Sequence, residues 1–184
     1  MSSLSFQILL IFDFKQKMKK AIFILISLLV LLPFAAAQHK ISLSDKSMRK
    51  AIVKLYKTAS VEEVPYSKSL YGNLQGKFFR IKEGNTVIAF SYLGRVNNSN
   101  SEFFDYYALF NTQYRIIKLS IYNYHASHGE AVCAPSWLKQ FVLYDGKEIL
   151  KVGKNIDAIS GATISTHSFT KNIQELYKKI YLLK

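Results

Sequence analysis

The sequence predicts an α+β fold, in which an antiparallel sheet meander is flanked by an N-terminal helix and a C-terminal amphipathic helix. Three observations predict it. Apolar residues repeat with a helical period over residues 44–57 and 165–182. A period of two replaces the helical period between residues 77 and 124. Short polar segments separate these alternating runs, as turns do in a meander.

Composition limits the class of protein. The chain has 184 residues, of which 49% are hydrophobic and 20% charged, with 8 Gly and 3 Pro. These values exclude collagen-like, low-complexity and wholly disordered chains. The one cysteine, Cys133, excludes an intramolecular disulfide and a cysteine-rich zinc finger.

Residues 1–37 are predicted to be a signal peptide. Four lysines precede an apolar run at residues 21–32, and the small residues Ala35-Ala36-Ala37 follow it. This run is shorter than the about 20 residues that span a membrane. The alternative is an uncleaved anchor, if the apolar segment continues through Pro33. Met18 is an alternative start, which would make residues 1–17 an upstream extension.

The remaining chain is predicted to begin at Gln38 and to act outside the cytoplasm. The leader holds four lysines and one aspartate, so the net charge falls from +13 to +10 on cleavage. Such a charge attracts anions, and export argues against nucleic acid as the partner. We divide this part into an N-terminal helical segment, 38–75, and a second domain, 76–184.

Each element follows from its own pattern. The first helix is predicted at 44–57, with Met48, Ile52, Leu55 and Tyr56 on one face. Residues 61–76 are ambiguous because Pro65, Gly72 and Gly76 interrupt them. Four strands are predicted, in a sheet with one covered face, at 77–82, 86–96, 103–111 and 114–124.

Two helical elements are predicted in the C-terminal third, with a turn at Asp145-Gly146 and a loop of small residues between them. A short helical turn is expected within 134–142, and the loop covers 157–166. The last helix, 165–182, carries a clean amphipathic stripe made of Phe169, Ile173, Leu176, Ile180 and Leu183.

The loop before the last helix carries the chemical signal. It reads Asp157-Ala158-Ile159-Ser160-Gly161-Ala162-Thr163-Ile164-Ser165-Thr166. Gly161 and Ala162 are small enough to let a ligand approach the backbone, and a helix start favours an anion such as phosphate. An ordinary capped helix start is the alternative, because Ser and Thr are common there.

This motif resembles the covalent flavinylation motif of the FMN-binding domain family. The family includes flavin-bearing extracytoplasmic subunits of sodium-translocating quinone reductases and Rnf-type complexes. The resemblance implies FMN joined through its phosphate to Thr163, by a flavin transferase that uses FAD. It further implies that Ser160, Gly161, Ala162 and Ser165 surround the phosphate, and that Asp157 positions the loop or is recognised by the transferase.

The similarity extends upstream, over residues 76–182. Gly129-Glu130 and Trp137-Leu138-Lys139-Gln140-Phe141 resemble the family's segments before the motif. Gly129 and Glu130 are therefore included among the expected cofactor-binding residues. The resemblance implies a redox carrier that exchanges electrons with protein partners, among them membrane-bound ones, rather than an autonomous enzyme.

Other sites are weaker interpretations. His125, His128, Glu130 and Cys133 could suggest a metal site, but their spacing is irregular and a polar loop is favoured. A hydrolase triad built on Ser160 lacks the Gly-x-Ser-x-Gly turn, so no catalytic residue is assigned. Two alternative functions stay open, an exported structural or interaction module without a cofactor and a flavin reductase-like enzyme with non-covalent flavin.

Overall fold

The computed structural model describes residues 43–65, 67, 71–98 and 102–183, together with Met18 and Lys20. The chain divides into two units, Met1–Lys40 and Ile41–Lys184, and all helices and strands given below belong to the second. Within the described residues, no helix is both long and apolar enough to cross a membrane. The leader, apart from Met18 and Lys20, lies outside the described residues, so its cleavage stays a prediction.

The described chain forms a five-stranded antiparallel sheet in which each strand pairs with the next along the chain. The strands are β1 Ser60–Glu63, β2 Gln75–Glu83, β3 Thr86–Asn97, β4 Phe103–Phe110 and β5 Ile116–His125. The meander of β2 to β5 is confirmed. The sequence does not predict β1, because this four-residue edge strand is mostly exposed and shows no apolar alternation.

Helices precede and follow the sheet, as predicted. They are α1 Lys46–Leu55, the single turn α2 Pro135–Leu138 and α3 Thr163–Ile180. Three-residue or four-residue 3-10 turns lie on both sides of α2 and directly after α3. The predicted apolar stripe is confirmed, since all five of its side chains are buried, four of them in α3 and Leu183 in the 3-10 turn that follows. In α1, by contrast, Leu55 is 49% exposed rather than packed.

Both faces of the sheet are covered, so the prediction of one covered face is wrong. On one face, α3 and α2 pack on the sheet through Phe169, Ile173 and Trp137. On the other, Met48, Ala51 and Ile52 of α1 form a second cluster with sheet residues Phe79, Ile81, Ala89, Leu93, Tyr107 and Leu109. The physical reason lies in β4, whose successive side chains alternate between the two clusters.

The strand register brings three chain segments to one end of the sheet. Asn97 at the end of β3 pairs with Phe103 at the start of β4, and Phe103 pairs with His125 at the end of β5. The residues just beyond these strands therefore meet at the same end of the sheet. Helix α3 begins at this end, because the Ser165 side chain contacts Asn98 and Tyr124.

Candidate functional site

A cleft of ≈ 390 Å³ opens at the start of α3. Its size is at the low end of the about 300–1,000 Å³ usual for ligand sites. The described residues that line it come from just after β3, just before β4, the segment after β5, the motif loop and the first turn of α3. They are Asn98, Glu102, Ser127, His128, Gly161, Ala162, Thr163, Ile164 and Ser165. The predicted motif thus forms one wall of the cleft.

The motif loop enters α3 through a tight turn. The Ala162 N–H donates to the Ile159 carbonyl at 3.1 Å, and α3 begins at the next residue, Thr163. The space beside Gly161 is open, because a Cβ built on it meets no atom within 4 Å. Ala162 occupies the N-cap position without a capping side chain. The helix start is therefore left accessible from the cleft.

The four hydroxyls of residues 160–166 differ in accessibility. Thr163 is exposed and lines the cleft. Ser165 also lines it but is 2% exposed, and its hydroxyl is hydrogen-bonded to Asn98 and Tyr124. Thr166 is fully buried and donates to the Thr163 carbonyl at 2.9 Å. Ser160 is exposed but lies outside the cleft lining.

Gly129 lies against the first turn of α3. Its φ is +90°, and a Cβ built there would come within 3.0 Å of the Ser165 Oγ, 3.1 Å of the Tyr124 Oη and 3.2 Å of the Ala162 Cα. A side chain at residue 129 would therefore press the helix start away. Glu130 is exposed and begins the 3-10 turn Glu130–Cys133, outside the cleft lining.

Asp157, which opens the motif, is held through its backbone. The Trp137 Nε1–H donates to the Asp157 carbonyl at 2.9 Å, and the Asp157 N–H donates to the Gln140 Oε1 at 2.8 Å. The Asp157 side chain is exposed and does not line the cleft. The Trp-Leu-x-Gln-Phe segment singled out in the sequence is thus in direct contact with the motif.

Glu102 carries the negative charge of the cleft wall. Its Oε1 accepts hydrogen bonds from the Ser127 Oγ at 2.6 Å and the Ser127 N–H at 2.9 Å. The hydroxyl and then the backbone N–H of Ser127, with a smaller contribution from the charge of His128, lower the pKa of the Glu102 carboxyl. Glu102 is therefore ionised at neutral pH.

The histidines and the cysteine are dispersed. His125 is exposed beside the Phe103 ring, at 4.7 Å between ring centroids, whereas His128 lines the cleft. Cys133 is half-buried, and burial followed by the charge of Glu130 raises the pKa of its thiol to about 11. Among the described residues, no three His, Cys, Asp or Glu side chains are grouped closely enough to hold a metal ion.

Three cleft residues were not identified from the sequence, namely Asn98, Glu102 and Ser127. They are distant from the motif along the chain and reach it only through the pairing of β3, β4 and β5. Asn98 belonged to a segment interpreted only as a polar loop, of which residues 99–101 lie outside the described residues. Nothing in the local pattern distinguished these side chains from ordinary turn residues.

Comparison with known proteins agrees with the motif. The family model described as FMN-binding domain matches residues 101–178. The match covers β4, β5, α2 and the motif, together with all but the last two residues of α3. No curated relative matches the chain.

Proposed function

Because residues 101–178 belong to the FMN-binding domain family, we propose that Thr163 carries FMN through a phosphoester and that the exported protein is an electron carrier. The single observation that carries this assignment is the accessibility of the Thr163 hydroxyl. Among the four hydroxyls of residues 160–166, it alone is both exposed and part of the cleft lining. An esterified phosphate requires both properties.

The start of α3 suits a phosphate. The first intrahelical hydrogen bond runs from the Thr166 N–H to the Ala162 carbonyl at 2.9 Å. The N–H groups of residues 163–165 precede it and have no partner within the helix. Such N–H groups and the helix dipole stabilise an anion. The open space beside Gly161 leaves room for the phosphate oxygens.

The charge of Glu102 favours an ester over a free phosphate. A phosphate monoester carries a charge of about −1.5 to −2 at neutral pH, whereas the phosphodiester to Thr163 carries one negative charge. Glu102 lies on the same cleft and is ionised. The covalent bond therefore reduces the repulsion that a non-covalently bound FMN would meet there.

A flavin transferase would make the bond, as in the family that the motif resembles. The Thr163 oxygen attacks the FMN phosphorus of FAD, and a Thr163 O–P bond forms as the pyrophosphate P–O bond breaks. AMP leaves with the bridging oxygen, and the hydroxyl proton is released. The products are FMN-bearing protein and AMP, without a change of oxidation state.

The protein would then act as a carrier for protein redox partners. Bound flavin supplies the one- and two-electron chemistry, and the chain supplies attachment, orientation and electrostatics. A net charge of +10 after leader cleavage would steer acidic partners toward the protein. A covalent bond prevents loss of the cofactor outside the cytoplasm, where the predicted signal peptide would deliver the chain.

Intact mass tests the proposal directly. The full chain is expressed in an exporting host with a flavin transferase, and the exported protein is analysed by mass spectrometry and on a denaturing gel. We expect a gain of one FMN less one water, flavin fluorescence on the gel, and an N-terminus at Gln38. Flavin that is lost on denaturation would indicate a non-covalent flavoprotein instead.

Two variants separate the candidate hydroxyls. Thr163→Ala should abolish the mass gain and the fluorescence while leaving the fold intact. Ser160→Ala is the matched control, because Ser160 is an exposed hydroxyl of the same loop that lies outside the cleft lining. It should leave labelling unchanged. A flavin peptide that maps to Ser160 or Ser165 would contradict the assignment to Thr163.

A further inference from the structure

We propose that Trp137 and Gln140 are positioning residues for flavin attachment, a role that rests on the function proposed above. They hold the backbone of Asp157, and through it they fix the loop 157–162 that presents Thr163 to the transferase. Neither side chain lines the cleft. Their effect would therefore reach the flavin only through the loop.

The contact is a clamp, formed by Trp137, Gln140 and the Asp157 backbone. Trp137 donates to the Asp157 carbonyl and Gln140 accepts from the Asp157 N–H, so both polar groups of this peptide residue are satisfied by side chains. The Gln140 Nε2 also donates to the Trp137 carbonyl at 3.1 Å. This third hydrogen bond orients the Gln140 amide so that its oxygen faces Asp157.

The clamp is built on a rigid support. Trp137 is 5% exposed, and its ring packs edge-on against Phe141 at 5.2 Å and lies 5.8 Å from the Phe169 ring of α3. Pro135 begins the helical turn that carries it. The clamp therefore connects the loop to the core against which α3 packs. It fixes the position of the loop relative to the helix.

The loop needs such a fixed point. Ile156 and Ala162, 1% and 3% exposed, are its buried ends. Between them, Asp157, Ala158, Ser160 and Gly161 are exposed, while Ile159 packs partly on the core and accepts from the Ala162 N–H. The clamp thus secures the first residue of the loop, and the Ile159 turn secures the last. Removal of the clamp would free the segment before Ser160.

A loosened loop has a defined kinetic consequence. If only a fraction of molecules presents Thr163 in the productive conformation, the apparent affinity of the transferase for its acceptor falls by that fraction. The chemical step within the productive complex is unchanged. Loss of the clamp should therefore raise KM for the acceptor protein and leave kcat unchanged.

The test measures initial rates of FMN incorporation against acceptor concentration. The exported chain is purified from a host without flavin transferase, and purified transferase and saturating FAD are added. Trp137→Phe removes the indole N–H, and Gln140→Met removes the amide with little change in volume. Each should raise KM about tenfold, the effect of 1.4 kcal/mol, with kcat within about twofold of the unmodified chain.

Two further variants give the matched controls. Gln140→Glu retains an oxygen that accepts the Asp157 N–H but loses the donation to the Trp137 carbonyl, so its KM should lie between those of Gln140→Met and the unmodified chain. Ile180→Ala alters the same buried cluster at the last residue of α3, at the other end of the helix from the loop, so it should lower the unfolding temperature and leave KM unchanged. A rise in KM for Ile180→Ala equal to that of Gln140→Met would overturn the positioning role, because core damage alone would then account for it.

Amide exchange at Asp157 provides a readout that does not depend on flavin. The Asp157 N–H should be protected in the unmodified chain and in Ile180→Ala, and should exchange faster in Gln140→Met. Unchanged exchange in Gln140→Met would overturn the clamp itself. Faster exchange with unchanged KM would overturn its role in attachment alone. A third outcome is that the Asp157 N–H is protected as expected but no variant, nor the unmodified chain, incorporates flavin. That result would overturn the proposed function and, with it, the positioning role.

Discussion

The Tyr124 hydroxyl lies 2.9 Å from the Ser165 hydroxyl and donates to the His128 carbonyl at 2.6 Å. Because Tyr124 has one hydroxyl proton, which it gives to His128, Ser165 must donate to Tyr124. The Asn98 amide in turn donates to Ser165 at 3.1 Å. This directed chain joins the end of β3, the first turn of α3 and the segment after β5, and it holds the wall of the cleft together.

Tyr124→Phe should destabilise the protein. The change removes two hydrogen bonds while the stacked contact with Phe104, at 5.5 Å between centroids, is retained. At about 1 kcal/mol for each hydrogen bond, the free energy of unfolding should fall by roughly 2 kcal/mol, as measured by urea denaturation.

Tyr92→Phe is the control for this change. The Tyr92 hydroxyl is buried and has no hydrogen-bond partner among the described residues. Its removal should leave stability unchanged or raise it, because a buried polar group without a partner is unfavourable. Equal losses in Tyr92→Phe and Tyr124→Phe would contradict the role of the Asn98–Ser165–Tyr124 chain.

Asp105→Ala should be among the most damaging changes in the sheet. Asp105 is 1% exposed, accepts two hydrogen bonds from Arg95 at 2.6 and 2.9 Å, and accepts one from Asn123 at 2.7 Å. Its removal leaves the largely buried Arg95 guanidinium without a carboxylate, at a cost of about 3–5 kcal/mol. Chemical denaturation measures the loss.

Glu63→Ala is the matched comparison for Asp105. Glu63 pairs with Lys77 at 2.9 Å, but half of the Glu63 side chain is exposed. Pairs in such exposed positions contribute about 0–1 kcal/mol. A loss in Asp105→Ala no larger than that in Glu63→Ala would show that the Arg95 pair is not significant for stability.

Cys133 should react slowly with iodoacetamide in the folded protein. Burial, followed by the charge of Glu130, raises the pKa of its thiol to about 11, and the thiolate is the reactive form. At pH 8, alkylation should be roughly two-hundredfold slower than in urea, where a free thiol has a pKa of about 8.5. The rate should then rise about tenfold per pH unit until pH 11.

The raised pKa of the Cys133 thiol also determines how the stability of the protein changes with pH. The folded pKa of Cys133 lies above the unfolded value, so the unfolded chain loses the proton first as the pH rises from about 8.5 to 11. Cys133 therefore adds to the free energy of unfolding at a pH below this window. That contribution is lost as the pH rises through the window. A folded-state alkylation rate equal to that in urea at pH 8 would contradict the burial of Cys133.

The long elements could be predicted from local patterns. The apolar positions of the C-terminal stripe recur at helical spacing over several turns, and apolar and β-branched residues recur along the strands of the sheet, which makes both patterns clear. The edge strand β1 could not be predicted, because Ser60–Glu63 is short and mostly exposed. Burial of the second sheet face was missed although a signal was present, since β4 is apolar at every position but Asp105, Tyr107 and Leu109 included, and a continuous apolar run indicates a strand buried on both faces.

Part of the candidate site could likewise be predicted from the sequence, and part could not. Thr163 and its loop could be found because the motif is contiguous in the sequence. Glu102 and Asn98 could not, because only the register of β3 with β4 brings them to α3. The contact between Trp137 and the Asp157 backbone is likewise invisible in the sequence, since a backbone carbonyl leaves no residue-specific signal.

Gly129→Ala should lower the free energy of unfolding by more than backbone strain alone accounts for, because the new side chain would press on the start of α3. Alanine at a φ of +90° costs about 1–2 kcal/mol, and its Cβ would also press on the Ser165 Oγ and the Ala162 Cα at 3.0 and 3.2 Å. Gly153→Ala isolates the strain, because Gly153 has a φ of +81° and a Cβ there meets no atom within 4 Å. Urea denaturation should therefore show a larger loss of stability for Gly129→Ala than for Gly153→Ala.

If Thr163 carries the flavin, Gly129→Ala should also slow FMN incorporation, whereas Gly153→Ala should leave it unchanged. Equal stability losses in the two variants would contradict the close approach of Gly129 to the helix start.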